Sequence, residues 1–343
     1  MGELFDKLLK SDESIFLNPQ FLDFDYQPKI VPCREGEQQE IASHIKPLLQ
    51  RRNGTNMIII GSPGVGKTVT LRHVLDELKE DYSSEVICLY INCWKKDTSF
   101  KVISDICIQL NYKWIHNKNF DDLVKSAAEL INEKSAVIVL DEVDKLQDQN
   151  IIYTLLEDIF RRSLILITNE KDFLIKLDNR IRSRLQPKTL EFQPYKKDQI
   201  KQILKERIQY VFVPNTLQEE VLNPVIDEAF ERKDMRIAMA LLKQAGEYAE
   251  DKSSKKITID HVKEAIGNLS EKTLEEGNED LINIIKENNG KPQADIFKIY
   301  EEKEKKSYRT FQRKVKELKE TKKINMKEEQ GDLGKHTILE YLD

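Results

Sequence analysis

The octapeptide Gly61-Ser62-Pro63-Gly64-Val65-Gly66-Lys67-Thr68 constrains this chain more than any other stretch. It reads G-x-x-x-x-G-K-T, follows the apolar run Met57-Ile58-Ile59-Ile60 and precedes a helical pattern. That context gives the pattern a physical meaning. A buried strand delivers the chain into a loop whose glycines let backbone N–H groups converge on phosphate oxygens. The next helix aims its partly positive N-terminus at the same anion. Lys67 is then placed to reach the β- and γ-phosphates, and the Thr68 hydroxyl to ligate Mg²⁺. The pattern predicts a nucleoside triphosphate site.

Further strands extend the reading. Ala136-Val137-Ile138-Val139-Leu140 is an apolar run that ends in Asp141-Glu142-Val143-Asp144. Such a strand brings Asp141 beside the phosphate loop to hold Mg²⁺, and Glu142 to polarise the water that attacks the γ-phosphorus. Ser163–Thr168 is another short strand, and Asn169 at its end is a neutral group able to orient that water. Val86–Ile91 reads as a fourth. Between them, Leu71, Val74, Leu75 and Leu78 recur at helical spacing, as do the apolar positions of Ser99–Leu110; Phe120–Asn132 reads as a further helix. Alternation of this kind predicts an α/β domain: a parallel sheet covered by helices on both faces, with ligand at the strand C-termini.

A chain of 343 residues has room for two or three domains. The net charge of -5 argues against a generic nucleic-acid coat, so any DNA contact must come from a local patch. The longest apolar runs are strand-length, far short of a membrane span. Met1–Asp6 lacks the basic start and apolar core of a signal peptide. Cys33, Cys88, Cys93 and Cys107 form no C-x-x-C pair and read as reduced thiols of a cytoplasmic protein.

Residues 1–193 are expected to form the nucleotide-binding base with an N-terminal leader. In that leader Pro19, Pro28 and Pro32 punctuate an extended segment pinned by Phe16, Phe21, Phe24 and Tyr26, and a helix follows over Glu37–Gln50. Beyond Pro194 the strands stop. Helices fit Lys196–Val211, Thr216–Arg232, Met235–Lys252 and Ile259–Asn268, an all-α unit over 194–272. Thr273–Asn278 reads as a linker. Residues 278–343 then give three helices (Leu281–Asn288, Pro292–Lys303, Ser307–Glu320) and two short strands around Gly331-Asp332-Leu333-Gly334, the order of a winged helix.

The last of those helices has two distinct faces. Phe311, Val315 and Leu318 recur at i, i+4, i+7 and are expected to pack inward. Arg309, Arg313 and Lys316 recur at the same spacing on another face, with Lys319 beyond them. Residues 303–323 hold ten basic side chains against three acids, a local charge of +7 in a chain whose net charge is -5. Lysine-rich helix faces are often merely solvated. Here the basic face coincides with a winged-helix pattern, which points to the DNA major groove.

At this level of detail the chain resembles the archaeal replication initiators related to the eukaryotic origin recognition complex and its cell-division-cycle partner, members of the AAA+ ATPases. The resemblance covers nearly the whole chain. Gly61–Thr68 looks like the family's Walker A motif, Val137–Asp144 its Walker B, and Asn169 its sensor 1. Leu177–Leu185 looks like the segment that carries the arginine finger, where Arg180 and Arg184 both fit and Arg182 is a third candidate. Phe192–Tyr195 resembles the hinge into the lid. Asp234-Met235-Arg236-Ile237-Ala238 with Leu241–Glu247 resembles the sensor 2 helix, and Ser307–Arg313 the recognition segment of the winged helix.

The resemblance implies further roles. Arg236 would reach the γ-phosphate, Tyr195 and Arg207 would line the outer side of the nucleotide, and Val31, Pro32 and Arg34 would approach the adenine. Trp94–Leu110 corresponds to an initiator-specific insertion that touches the DNA minor groove; here it carries Lys95, Lys96 and Lys101. The implied function is ATP-dependent binding of double-stranded origin DNA with recruitment of the replicative helicase. Slow ATP hydrolysis to ADP would reset the conformation, with other initiator protomers as possible partners, in the cytoplasm at the nucleoid. Two other readings share the architecture: a AAA+ motor or clamp-loader-like ATPase, and a DNA-binding regulator or plasmid initiator.

Overall fold

The computed structural model describes residues 14–304, 307–320, 323–331 and 334–342. The chain separates into two compact units, residues 1–258 and 259–343.

In the first unit the strands β1 (Met57–Ile60), β2 (Val86–Asn92), β3 (Ser135–Asp141), β4 (Arg162–Thr168) and β5 (Lys188–Glu191) form one sheet in the order β2-β3-β4-β1-β5. Every pairing is parallel. Alternate residues of β1 serve opposite faces. Met57 and Ile59 pack with Ile41 of α1 (Glu35–Leu49) and with Leu71 and Leu75 of α2 (Lys67–Tyr82). Ile58 and Ile60 pack with Val102 of α3 (Ser99–Gln109), Leu123 of α4 (Phe120–Asn132) and Ile151 of α5 (Asn150–Asp158). β1, β3 and nearly all of β4 are buried on both sides, which is why they are legible as apolar runs, while β2, at the other edge, mixes buried and half-buried residues. Each fully buried Ile or Leu contributes about 1.5–3 kcal/mol. β5 is an edge strand whose residues are exposed except Leu190, so no apolar run announces it.

The expected all-α unit follows. α6 (Phe173–Lys176) and α7 (Asn179–Leu185) precede β5, and α8 (Lys197–Val211), α9 (Leu222–Arg232) and α10 (Met235–Asp251) come after it. α9 starts at Leu222, six residues later than the helix expected from Thr216. Leu217 instead bridges to Ile257, and Glu219–Val221 forms a 3₁₀ turn. Pro224 then falls in the first helical turn, where a missing N–H costs little. The leader lies along these helices: Phe16 bridges to Phe212, their tilted rings 5.1 Å apart, and Asp23 pairs with Lys243 at 2.7 Å. Phe24 is exposed and pins nothing.

In the second unit the sequence expectation of a linker at Thr273–Asn278 is overturned. One helix, α11, runs unbroken over Ile259–Glu287. Its residues 273–278 include only one glycine and no proline, too little to stop a helix that is anchored by buried Leu281, Ile282, Ile284 and Ile285 farther along. α12 (Gln293–Glu304) and α13 (Tyr308–Glu320) follow. β6 (Ile324–Gly331) and β7 (Gly334–Tyr341) pair antiparallel from Ile324↔Tyr341 to Gly331↔Gly334, a longer hairpin than its apolar ends suggested. Asp332 and Leu333 of the turn, and Lys305, Lys306 and Lys322 of the basic run, lie outside the described residues, as do Met1–Asp6. Among the described residues no helix is long and apolar enough to cross a membrane, and the four cysteines are unpaired.

Candidate nucleotide site and basic helix

The sheet order brings three strand ends together. β1 lies between β4 and β5, with Ile60 beside Thr168, so the phosphate loop after β1 faces Asn169 after β4. β3 flanks β4 and supplies Asp141. Gly64 and Gly66 have φ of 73° and 90°, the left-handed region that favours glycine. A side chain at Gly66 would also lie 2.4 Å from the Tyr195 hydroxyl. Gly66 is the N-cap of α2 and offers no side-chain cap, which leaves the first-turn N–H groups available to an anion.

Lys67 Nζ donates to the carbonyls of Gly61 at 2.7 Å and Ser62 at 2.9 Å and to Asn169 Oδ1 at 2.8 Å. Burial lowers its ammonium pKa to about 8, with Asp141 opposing the shift. Thr68 donates its hydroxyl to Asp141 Oδ2 at 2.8 Å. Tyr90 donates to the same oxygen at 2.5 Å, while Asp141 Oδ1 accepts the Glu142 N–H at 2.8 Å. Glu142 itself has φ 54°, a left-handed backbone just past the end of β3. Burial, then the neighbouring Asp141 and Asp144, raise its pKa above the usual carboxylate range. Asp144 accepts from Thr168 at 2.8 Å and pairs with Lys145; burial pushes its pKa up, but those contacts hold it below the usual range.

A hydroxyl beside a carboxylate suits a hard divalent cation that keeps most of its water and takes phosphate oxygens for the rest. Among the described residues no group of three or more His, Cys, Asp or Glu could hold a metal alone. Thr68 and Asp141 therefore fit Mg²⁺ held jointly with a nucleotide.

Of the other expected site residues, Arg34 touches the loop directly through Val65 and Arg207 packs on the leader instead. Arg34 is 4% exposed. It donates to Val65 O at 2.7 Å and Gln193 O at 2.6 Å, pairs with Glu37 at 2.5 Å, and lies 4.0 Å from the Tyr195 ring. Val31 is buried nearby in sequence and accepts from Gln38 at 2.8 Å. Arg207 donates to Phe21 O at 2.7 Å and lies over Tyr26. Arg236 is held by Asp234, its Nη2 at 2.6 Å from Oδ2. Among the finger candidates, Arg180 has an 84% exposed side chain near Asp178, whereas Arg184 pairs with Glu157 and lies over Tyr153. Lys96 pairs with Asp105 at 3.2 Å, and the Lys95 N–H donates to Asn92 Oδ1. Tyr90 lies in the expected strand Val86–Ile91 and Asp234 in the sensor-2-like segment, but no motif assigns either of them a role in the site. Tyr90 shares the Asp141 carboxylate only because β2 pairs with β3, a register no single-strand pattern contains.

In the second unit α13 buries Phe311, Val315 and Leu318, with Phe311 5.5 Å from the Tyr300 ring and 5.3 Å from Phe297. The Ser307 hydroxyl accepts the Thr310 N–H at 3.4 Å, a weak cap. Arg309, Arg313, Lys316 and Lys319 are exposed, and Arg313 approaches Glu317 at 3.7 Å.

A phosphate loop, acidic strand end and polar sensor on a β2-β3-β4-β1-β5 sheet, followed by a helical lid and a winged helix, define a AAA+ ATPase. Residues 50–177 match the AAA domain family, and residues 201–267 the Cdc6 AAA+ ATPase-type lid domain. The ORC1-type DNA replication protein of Pyrococcus furiosus is 32% identical over 339 residues, covering 88% of this chain and 79% of that protein. The fold is similar to that of the Aeropyrum pernix ORC1 protein solved in complex with DNA (TM-score 0.70, 24% identity, 96% of this chain and 94% of that one). It is also similar to the Aeropyrum pernix ORC2 protein solved as ADPNP–ADP complexes (TM-score 0.66, 18% identity, 95% of this chain and 94% of that one). The chain belongs to the ORC1-type DNA replication protein family.

Proposed function

We propose that this chain is a replication initiator that binds double-stranded origin DNA, helps recruit the replicative helicase, and uses ATP with Mg²⁺ chiefly as a conformational ligand. One observation carries the reading: a nucleotide site in one unit accompanies, in the other, a winged helix whose α13 buries Phe311, Val315 and Leu318 and exposes Arg309, Arg313, Lys316 and Lys319. The structural similarity supports it, since the Aeropyrum pernix ORC1 protein was solved with DNA. The family favours an initiator over a motor or clamp loader. When bound with the nucleotide, Mg²⁺ would supply charge neutralisation at the phosphates, and Thr68 and Asp141 would hold it. Lys67 binds the β/γ oxygens, Glu142 and Asn169 hold and orient the attacking water, and slow hydrolysis resets the state. Arg236 reports the γ-phosphate. Arg34, Val31, Tyr195 and Arg207 shape the outer wall, Lys95 and Lys96 add a second DNA contact, and the protein works in the cytoplasm at the nucleoid with other protomers.

The test is footprinting and affinity measurement on AT-rich inverted repeats adjoining the gene, with ATP and with ADP. Sequence-selective protection is expected. Equal affinity for those repeats and scrambled duplexes would overturn the reading.

A further inference from the structure

Asp234 sits where the helical lid meets the phosphate loop. The Met235 N–H donates to Gly64 O at 3.2 Å. The Asp234 carboxylate lies so close to Gly64 that a side chain there would approach Oδ1 to 1.7 Å. The same carboxylate caps α10, accepting the Arg236 N–H at 2.9 Å. It also grips the Arg236 guanidinium through Nε at 3.0 and 3.1 Å and Nη2 at 2.6 Å. Asp234 is mostly buried, with a 19% exposed side chain, and Arg236 is half-exposed.

A carboxylate in this geometry presents two oxygens to a guanidinium, as a phosphate does. Glycine at position 64 leaves room for it against the loop backbone. We infer that Asp234 is a selectivity-setting counter-ion: it holds Arg236 until a γ-phosphate takes the guanidinium, so the contact is exchanged when ATP binds and kept when ADP binds. This rests on the reading of Arg236 as the γ-phosphate sensor. A ligand shifts such an equilibrium only by its differential contacts with the two states. ATP has a competing anion for Arg236 and ADP does not. Asp234 thus lowers ATP affinity by the cost of breaking the pair and leaves ADP affinity alone.

Asp234→Asn isolates the charge, because Asn caps a helix about as well as Asp; Asp234→Ser, also a good cap, guards against an effect peculiar to the amide. Affinities for ATP and ADP are measured by calorimetry in wild type, both variants, Arg236→Ala and the Asp234→Asn/Arg236→Ala double variant. Both single Asp234 variants are expected to bind ATP about fivefold more tightly and ADP as before, at the low end of usual coupling. In the Arg236→Ala background the gain is expected to vanish. Equal tightening for ATP and ADP would mean general relief of repulsion and overturns the inference, as does unchanged or weaker ATP binding. If Arg236→Ala by itself leaves the ATP/ADP ratio at the wild-type value, the sensor reading fails, whatever the Asp234 variants do.

Discussion

Nucleotide binding is expected to turn on Lys67. Three oxygens of its own surroundings hold the ammonium, contacts that a bound phosphate would have to replace. Lys67→Ala is expected to abolish nucleotide binding in calorimetry, and retention of tight ATP binding would refute the assignment. Glu142→Gln should keep binding and lose hydrolysis, since the amide cannot act as the base. Gly66 offers a stability counterpart. Alanine there would need φ 90° and would meet the Tyr195 hydroxyl at 2.4 Å. A non-glycine residue held in such a region costs about 1–3 kcal/mol. Gly66→Ala should lower Tm, and Tyr195→Phe in the same chain should recover only the part due to the hydroxyl. Full recovery would show that the backbone conformation carries no cost.

At the scale of elements, legibility followed burial and local chemistry. β1, β3 and β4 were readable because both faces are covered, and the phosphate loop because glycine, lysine and threonine are each required by a distinct contact. β5 was not readable: three of its four residues are exposed, and only pairing with β1 makes it a strand. The continuity of α11 through 273–278 was missed for a related reason, as weak local propensity yields to packing at the helix ends. Asp234 was visible in the sequence but its partner was not, because the approach to Gly64 is a tertiary contact. The basic face of α13 was legible from periodicity alone, and its prediction belongs here. Arginine paired to guanine discriminates by about 1–3 kcal/mol, whereas lysine on phosphate gives affinity without sequence information. Arg309→Ala and Arg313→Ala are expected to lower preference for origin over scrambled DNA. Lys316→Ala and Lys319→Ala should weaken both alike and reduce the salt slope by about one. Unchanged affinities for all four across a salt series would remove α13 as the reading element and leave the winged helix as a protein-docking module.

At the scale of the whole molecule, hydrolysis raises the question of what neutralises charge that develops on the γ-phosphate. Lys67, and Arg236 under the proposed function, serve the chain's own site, whereas Arg180 on α7 has an 84% exposed side chain and only a loose contact with Asp178. An exposed arginine can act on a neighbour's nucleotide, and such a residue in trans is worth about 10³–10⁵ in rate in related phosphoryl transfers. Arg184, by contrast, would first have to leave Glu157 and the Tyr153 ring. Arg180 is therefore expected to be the finger, acting on another protomer or a partner ATPase. Mixing provides the test. An Arg180→Ala/Arg184→Ala protein keeps an intact ATP pocket and lacks a finger, whereas Lys67→Ala keeps the finger and lacks the pocket. If wild type hydrolyses ATP measurably, the mixture should recover activity that neither component has. Repeating the mixture with Arg180→Ala and Arg184→Ala each built into the Lys67→Ala protein separates the two arginines: recovery should be lost with the first and kept with the second. No recovery in the original mixture would count against action in trans, and loss only with Arg184→Ala would move the role to that residue, with Glu157 as the side chain that restrains it.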